Sequence, residues 1–148
     1  MNTSSLWIFC LMTGVFIMSI FFFFPVSNQT TITFSDGSQI QAEIVRTEQT
    51  REKGLSGRKT LQKNHGMLFL FDEPQQRGIW MKGMWFSIDI LWLREGKIVS
   101  MVEHAPIPVL GESIPTFRPD VLASEVLELP DGFVSEHGLR EGDEVKIK

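Results

Sequence analysis

Two stretches of the sequence combine charged side chains with tryptophans and could hold a polar molecule. Lys82 lies two residues after Trp80, and Asp89 lies inside the apolar run 86–92. An unpaired carboxylate is costly to bury in so apolar a strand. We therefore expect Asp89 to have a cationic partner, either Lys82 or an arginine of the segment 51–58.

This pairing leads to a binding hypothesis. In it, Asp89, Lys82 and Arg58 orient a small polar ligand, Trp80 or Trp85 stacks on it, and Arg51 is a further candidate. The alternative is a structural ion pair that fastens a short helix to the sheet. An enzyme that uses Asp89 and Lys82 in the same pocket is a second functional alternative.

Other catalytic patterns are weak in this sequence. His65, His104 and His137 stand alone, without the close spacing of metal ligands. Ser56 lacks the glycine arrangement and preceding strand of a nucleophile elbow. Carboxylate pairs of Asp89 with Glu103 or Glu128 are conceivable, but their spacing does not bring them together. The sequence thus predicts no catalytic residue, no metal site and no cofactor.

The charged residues are unevenly distributed. Five bases stand against one acid between Arg51 and Lys63, whereas ten acids stand against four bases from Glu103 to Lys148. The basic segment could hold an anion, such as a phosphorylated molecule or lipid headgroups, or could be an ordinary solvated surface. The acidic half argues against nucleic acid as the main partner, because backbone binding needs a continuous basic surface.

The first 28 residues contain no charged side chain, and residues 6–24 are almost wholly apolar. As a helix, this run would be about 28 Å long, close to the thickness of the hydrocarbon core of a bilayer. We therefore expect residues 1–28 to be a transmembrane anchor or signal-like segment, and residues 29–148 to form one domain. The run is longer than the apolar part of a secretory signal, which favours an uncleaved anchor.

Short apolar runs separated by turn residues predict β-sheet for most of the domain. A hairpin is expected around Asp36-Gly37, and strands are expected at 66–71, 78–81 and 84–93. Thr47 is predicted to cap a short helix that ends before Gly54, and a one-turn helix is expected at 133–137.

The segment 105–119 contains four prolines and is predicted to be one long loop. The fold class expected from these elements is all-β, or mainly β: a jelly-roll-like sandwich or barrel with two short helices, preceded by one N-terminal transmembrane helix.

Several short motifs occur in an order that resembles the domain-of-unknown-function 192 family. They are Arg51-x-x-Gly54-Leu55, Gly66-Met67-Leu68-Phe69, Trp80-Met81-Lys82, Ile88-Asp89-Ile90, Val126-Leu127-Glu128 and Gly142-Asp143. The resemblance covers residues 39–148 and implies a small, mainly β, jelly-roll-like fold, often exported or membrane-anchored in bacteria, with no established activity. Family members tend to carry Asn-Thr where this chain has Gly83-Met84, so any pocket there is expected to be more apolar.

These observations predict a membrane-anchored domain of the cell envelope that acts as a binding or assembly module. Its partners would be the membrane, through residues 6–24, and either a small polar ligand or an envelope protein. The domain is expected to lie outside the cytoplasm, in the periplasm or the extracellular space, and to be secreted if the segment is cleaved.

Overall fold

The computed structural model of this protein describes residues 28–148. These residues form nine strands and two short helices, which confirms the predicted mainly β class and the two helices. The elements are β1 (Gln29–Phe34), β2 (Gln39–Val45), α1 (Glu48–Lys53), β3 (His65–Gln75), β4 (Ile79–Trp80), β5 (Ile88–Arg94), β6 (Lys97–Ala105), β7 (Thr116–Phe117), β8 (Ala123–Pro130), α2 (Phe133–His137) and β9 (Val145–Ile147).

Seven of these strands form one curled sheet in the order β6-β5-β8-β3-β2-β1-β9. All neighbours are antiparallel except β2 and β3, which run parallel and are connected through α1. The two edges of the sheet meet, because the Val145 N–H donates to the Gly96 carbonyl over 2.8 Å and the Ile98 N–H to the Asp143 carbonyl over 3.0 Å. This contact covers part of the unpaired edges that an open sheet would leave exposed.

Local sequence signals account for the connection between β2 and β3. The Thr47 hydroxyl accepts the Thr50 N–H, and the Thr50 hydroxyl accepts the Thr47 N–H, so the two threonines form a reciprocal cap at the start of α1. Gly54 ends the helix with a φ of 47°, a value that a residue without Cβ adopts readily. The predicted helix and both of its ends are therefore confirmed.

Two sequence predictions were wrong in detail. The strand expected from residue 84 begins only at Ile88, and Trp85 lies in the irregular segment before it with 70 % of its surface exposed. The loop expected at 105–119 contains β7, which pairs with β4 in a separate two-stranded sheet. The Met81 N–H also donates to the Pro115 carbonyl over 2.9 Å, so this segment is attached to the rest of the domain by long-range backbone hydrogen bonds.

The apolar run 6–24, predicted to be a transmembrane helix, lies outside the described residues. Between residues 28 and 148, no helix is long and apolar enough to cross a bilayer.

Candidate functional site

The sheet carries a separate apolar cluster on each of its faces, and β5 contributes to both. Leu91 and Leu93 join the cluster that packs against α2, whereas Ile90 and Trp92 join the cluster beneath α1 and β4. Successive side chains of a strand point to opposite faces, which explains this division. Residues 88–92 thus belong to a strand, as expected, and their side chains alternate between the two faces of the sheet.

A cavity of about 420 Å³ opens beside the second cluster. Its wall combines apolar side chains with charged groups from α1, from the residue after β7 and from β8. The residues that line it are Glu48, Arg51, Glu52, Lys53, Gly54, Leu55, Ser56, Phe69, Phe71, Gly78, Ile79, Trp80, Met84, Thr116, Arg118 and Glu128. Its volume lies within the range of about 300–1,000 Å³ that is typical of small-molecule sites.

Glu128 is the buried polar group of this cavity. Leu127 and Leu129 point into the first cluster, so Glu128 between them faces the cavity side of β8. The residue is only 5 % exposed, and its Oε2 atom has no hydrogen-bond partner within residues 28–148. Burial raises the pKa of Glu128 to about 8, against the lowering effect of the Arg58 charge. At neutral pH this carboxyl is therefore protonated and can donate a hydrogen bond into the cavity.

The backbone around Glu128 is fixed on both sides. Strand β8 runs between β5 and β3, where Glu128 stands opposite Ile90 and Met67. Gly66 permits this approach, because a Cβ there would lie 2.8 Å from the Glu128 carbonyl oxygen and 2.9 Å from Ile40 Cδ1. The acid is consequently held by a rigid part of the sheet rather than by a loop.

Guanidinium groups surround the outer part of the cavity. Arg51 is held in place by its Nη1 atom, which donates to the Arg46 carbonyl over 2.6 Å and to the Leu70 carbonyl over 2.8 Å. The guanidinium carbons of Arg51 and Arg77 lie 4.8 and 3.9 Å from the centre of the Phe71 ring. Burial, and then repulsion from Arg51, lowers the pKa of Arg77. This region therefore concentrates positive charge beside an aromatic wall.

Two of the sequence-predicted candidates, Arg51 and Trp80, line the cavity. Trp80 is 43 % exposed, and the Lys82 Nζ atom lies 5.1 Å from the centre of its ring, so Lys82 is near the mouth without lining the cavity. Trp85 is not among the lining residues.

Arg58 lies apart from the lining and has a partner of its own. Its two terminal nitrogens donate to the carboxylate oxygens of Glu43 over 2.5 and 2.7 Å. The pair raises the pKa of Arg58, mainly through its hydrogen bonds, and lowers the pKa of Glu43. Arg58 thus acts on the cavity through its charge, which reaches Glu128, rather than through contact.

The prediction that Asp89 has a cationic partner is wrong. Asp89 is fully buried, and its Oδ1 and Oδ2 atoms accept the backbone N–H groups of His104 over 2.9 Å and Val134 over 2.8 Å. Two backbone donors satisfy this carboxylate without any cation. Asp89 also points to the α2 face of β5, away from the cavity. The structure therefore does not bring Asp89, Lys82 and Arg58 around one pocket.

Asp89 instead belongs to a small cluster with His104 and Asp131. One potential ligand atom from each residue lies within 4.8 Å of the others, an arrangement that the isolated histidine at 104 did not reveal in the sequence. The His104 Nδ1 atom is 2.8 Å from Asp131, whose hydrogen bond and charge raise the pKa of His104. Because both Asp89 oxygens already accept backbone N–H groups, this cluster serves to join β5, β6 and the start of α2.

The sequence analysis named Glu128 as part of the motif Val126-Leu127-Glu128 and as a conceivable carboxylate partner of Asp89. It did not place Glu128 in the binding site. The available signal was an acid within the run Val126-Leu127-Glu128-Leu129, which is otherwise apolar. Only the strand order shows which face of the sheet Glu128 occupies and that a cavity lies on that face.

The curled sheet and the acid-containing cavity define a small, mainly β domain with a potential ligand site. The chain belongs to the DUF192 family, described as "Uncharacterized ACR", whose family model matches residues 30–147. This match confirms the family resemblance.

Two solved structures are similar over most of the chain. A protein of Sinorhizobium meliloti 1021, provisionally called a transcription regulator, is 26 % identical with a TM-score of 0.71; the match covers 80 % of this chain and 92 % of that one. A protein of unknown function from Novosphingobium aromaticivorans DSM 12444 is 25 % identical with a TM-score of 0.71. The match covers 82 % of this chain and 89 % of that one. Among curated proteins, none matches the chain.

Proposed function

We propose that this domain binds a small ligand in the cavity that Glu128 faces. The observation that supports the proposal is the Oε2 atom of Glu128, which is buried and lacks a partner within residues 28–148. Buried polar groups are almost always hydrogen-bonded, and an orphaned one calls for an explanation. A ligand that accepts a hydrogen bond from the neutral carboxyl would supply the missing partner.

The lining favours a ligand with an apolar body rather than a wholly polar one. Phe69, Phe71, Trp80 and Met84 all contribute to the wall. Met84 occupies a position where the family resemblance implies a polar residue, so it makes this cavity more apolar. The proposed ligand thus carries polar groups at its ends and apolar surface between them, which refines the small polar ligand expected from the sequence.

We also propose that the domain is anchored to a membrane by residues 6–24 and faces the outside of the cytoplasm. The side-chain amide of Asn28 donates to the Ile44 carbonyl, and the Ile44 N–H donates to the Asn28 carbonyl over 2.8 Å. This pairing holds Asn28 beside the end of β2, and α1, which contributes to the cavity wall, begins three residues after β2. In an anchored protein the cavity would therefore lie close to the bilayer. A topology reporter fused after Lys148 tests the orientation, and a cytoplasmic signal would contradict it.

The binding proposal is tested by thermal shift on the full-length chain in nanodiscs, screened with sugars, phosphorylated metabolites and small organic acids. A ligand at 100 times its Kd adds about 2.7 kcal/mol to the stability of the folded state. We expect Glu128→Met to reduce the shift and Glu125→Met to retain it in full, because Glu125 lies on the same strand but on the other face. A hit that is unchanged in Glu128→Met would contradict the proposed site.

Contact with an envelope protein is a second candidate, supported by apolar side chains that are exposed. Trp85 is 70 % exposed, and Leu110, in the connection between β6 and β7, is fully exposed. Photo-crosslinking groups placed at these two positions would capture a neighbour in intact membranes. The enzyme alternative is not favoured in the form expected from the sequence, since Asp89 and Lys82 do not share the cavity.

A further inference from the structure

The cations around the cavity are not neutralised by ion pairs. Within residues 28–148, none of the four ion pairs involves Arg51, Lys53, Arg77 or Arg118. Three of these cations line the cavity, together with two acids other than Glu128, namely Glu48 and Glu52. Since Glu128 is protonated at neutral pH, the lining carries an excess of positive charge.

Arg118 is the cation best placed to contact a ligand. It is exposed, its guanidinium makes no hydrogen bond within the described part of the chain, and the stem of its side chain lies beside Gly78 in the cavity wall. Arg51, in contrast, already donates to two carbonyl groups. A guanidinium with free donors suits a carboxylate or phosphate, which can accept two parallel hydrogen bonds.

The inner end of the cavity, unlike the mouth, suits an uncharged group. Glu128 is neutral there and stands between Met67 and Ile90 of the neighbouring strands, while apolar side chains such as Leu55, Phe69 and Met84 line the same cavity. An ionised group placed at this depth would lose its hydration without a full countercharge. An uncharged oxygen, such as a hydroxyl or carbonyl, can instead accept the proton of the Glu128 carboxyl.

We infer that the ligand is a small organic anion with an apolar body and an uncharged polar group at its far end. Arg118 binds the anionic group at the mouth of the cavity, and the aromatic wall holds the apolar body. The Glu128 carboxyl binds the uncharged group at the inner end. This inference rests on the proposed function and specifies its ligand class. Arg51 and Lys53 add to the positive potential that attracts the anion, and Trp80 covers the outer part of the ligand body.

The test uses the full-length chain in nanodiscs, isothermal titration calorimetry and three matched probes. These are 3-(4-hydroxyphenyl)propanoate, its amide, and 3-phenylpropanoate, which lacks the hydroxyl. We expect the hydroxylated anion to bind most tightly, and each of the other two to bind about five- to tenfold more weakly. Its affinity should fall as salt concentration rises, because the Arg118 contact is exposed.

Variants assign the two ends of the ligand separately. Arg118→Gln should weaken the anion about five- to tenfold and leave the amide unchanged, whereas Arg94→Gln, an exposed arginine on β5, should change neither. Glu128→Met should remove the advantage of the hydroxylated probe over 3-phenylpropanoate, while Glu125→Met retains it.

Each outcome separates the ligand class from the binding function. Equal binding of anion and amide, or an Arg118→Gln variant that binds the anion normally, overturns the assignment of an organic anion and leaves the cavity a binding site. Failure of all three probes at about 1 mM overturns the ligand class. If the wider thermal-shift screen also gives no shift that depends on Glu128, the binding function itself is overturned.

Discussion

The Oδ2 atom of Asp89 accepts the backbone N–H of Val134 over 2.8 Å, and this bond joins strand β5 to the first turn of α2. Its other oxygen holds the backbone of His104 at the end of β6. One buried carboxylate therefore connects three elements on the face of the sheet opposite the cavity. Its role in the structure is architectural.

Asp89→Asn should destabilise the domain without affecting the cavity. The amide keeps one acceptor and turns an NH₂ group towards a backbone donor, so one charge-assisted bond is lost. We expect a loss of about 1.5–3 kcal/mol in the free energy of unfolding, measured in urea. Asp143→Asn is the matched control, since Asp143 accepts the Arg140 N–H at the surface and should cost less. A stable Asp89→Asn variant that no longer binds ligand would place Asp89 in the binding site after all.

Glu128 should make the stability of the domain depend on pH. Its folded-state pKa of about 8 lies above the ordinary glutamate value of 4.5, so the folded state retains a proton that the unfolded chain releases. The resulting stabilisation is fully present below about pH 4.5 and is lost as the pH rises through 8, amounting to a few kcal/mol. Urea titrations between pH 5 and 9 measure the slope.

Glu128→Gln should remove this slope, because the amide does not titrate and has nearly the same shape. Glu125→Gln, on the same strand, should retain it. Equal slopes in Glu128→Gln and in the unaltered protein would show that another group is responsible.

The Arg58 charge should tune the acidity of Glu128. It lowers the pKa of Glu128, so Arg58→Gln should raise that pKa above 8, while Arg58→Lys should keep it nearly unchanged. Carbon-detected NMR titration of the Glu128 carboxyl measures the shift. The loss of the contact between Arg58 and Glu43 should itself lower the free energy of unfolding by only about 1 kcal/mol or less, because the side chains of both residues are more than a third exposed. Identical titration curves for the two variants would contradict the coupling.

Gly66→Ala should disrupt the strand pair that holds Glu128. The added methyl group would lie 2.8 Å from a backbone oxygen, which cannot move without disturbing the sheet. We expect a cost of roughly 1–3 kcal/mol by thermal or urea unfolding. Gly78→Ala is a suitable control, because its nearest neighbours would be the Arg118 side-chain carbons at 3.8 Å, an ordinary contact. A Gly66→Ala variant as stable as the Gly78→Ala variant would show that β3 and β8 can separate locally.

Local signals in the sequence determined much of the secondary structure. The turn at Asp36-Gly37, the caps of α1 at Thr47 and Gly54, and the alternation along β5 depend on neighbouring residues and on backbone geometry. Such features can be predicted from the chain because their physical causes act over a few residues. The family, too, was recognisable from its short motifs.

The candidate site was decided by tertiary structure. The sequence showed that Asp89 was too buried to remain without a partner, but the partners are two backbone N–H groups, and backbone donors are identical at almost every residue. Glu128 faces the cavity only because β8 is inserted between β5 and β3, a pairing between segments distant in the chain. The sequence thus determined which residues are costly to bury. The strand order decided which of them, Glu128, lies beside an open space with a carboxyl oxygen that has no hydrogen-bond partner among residues 28–148.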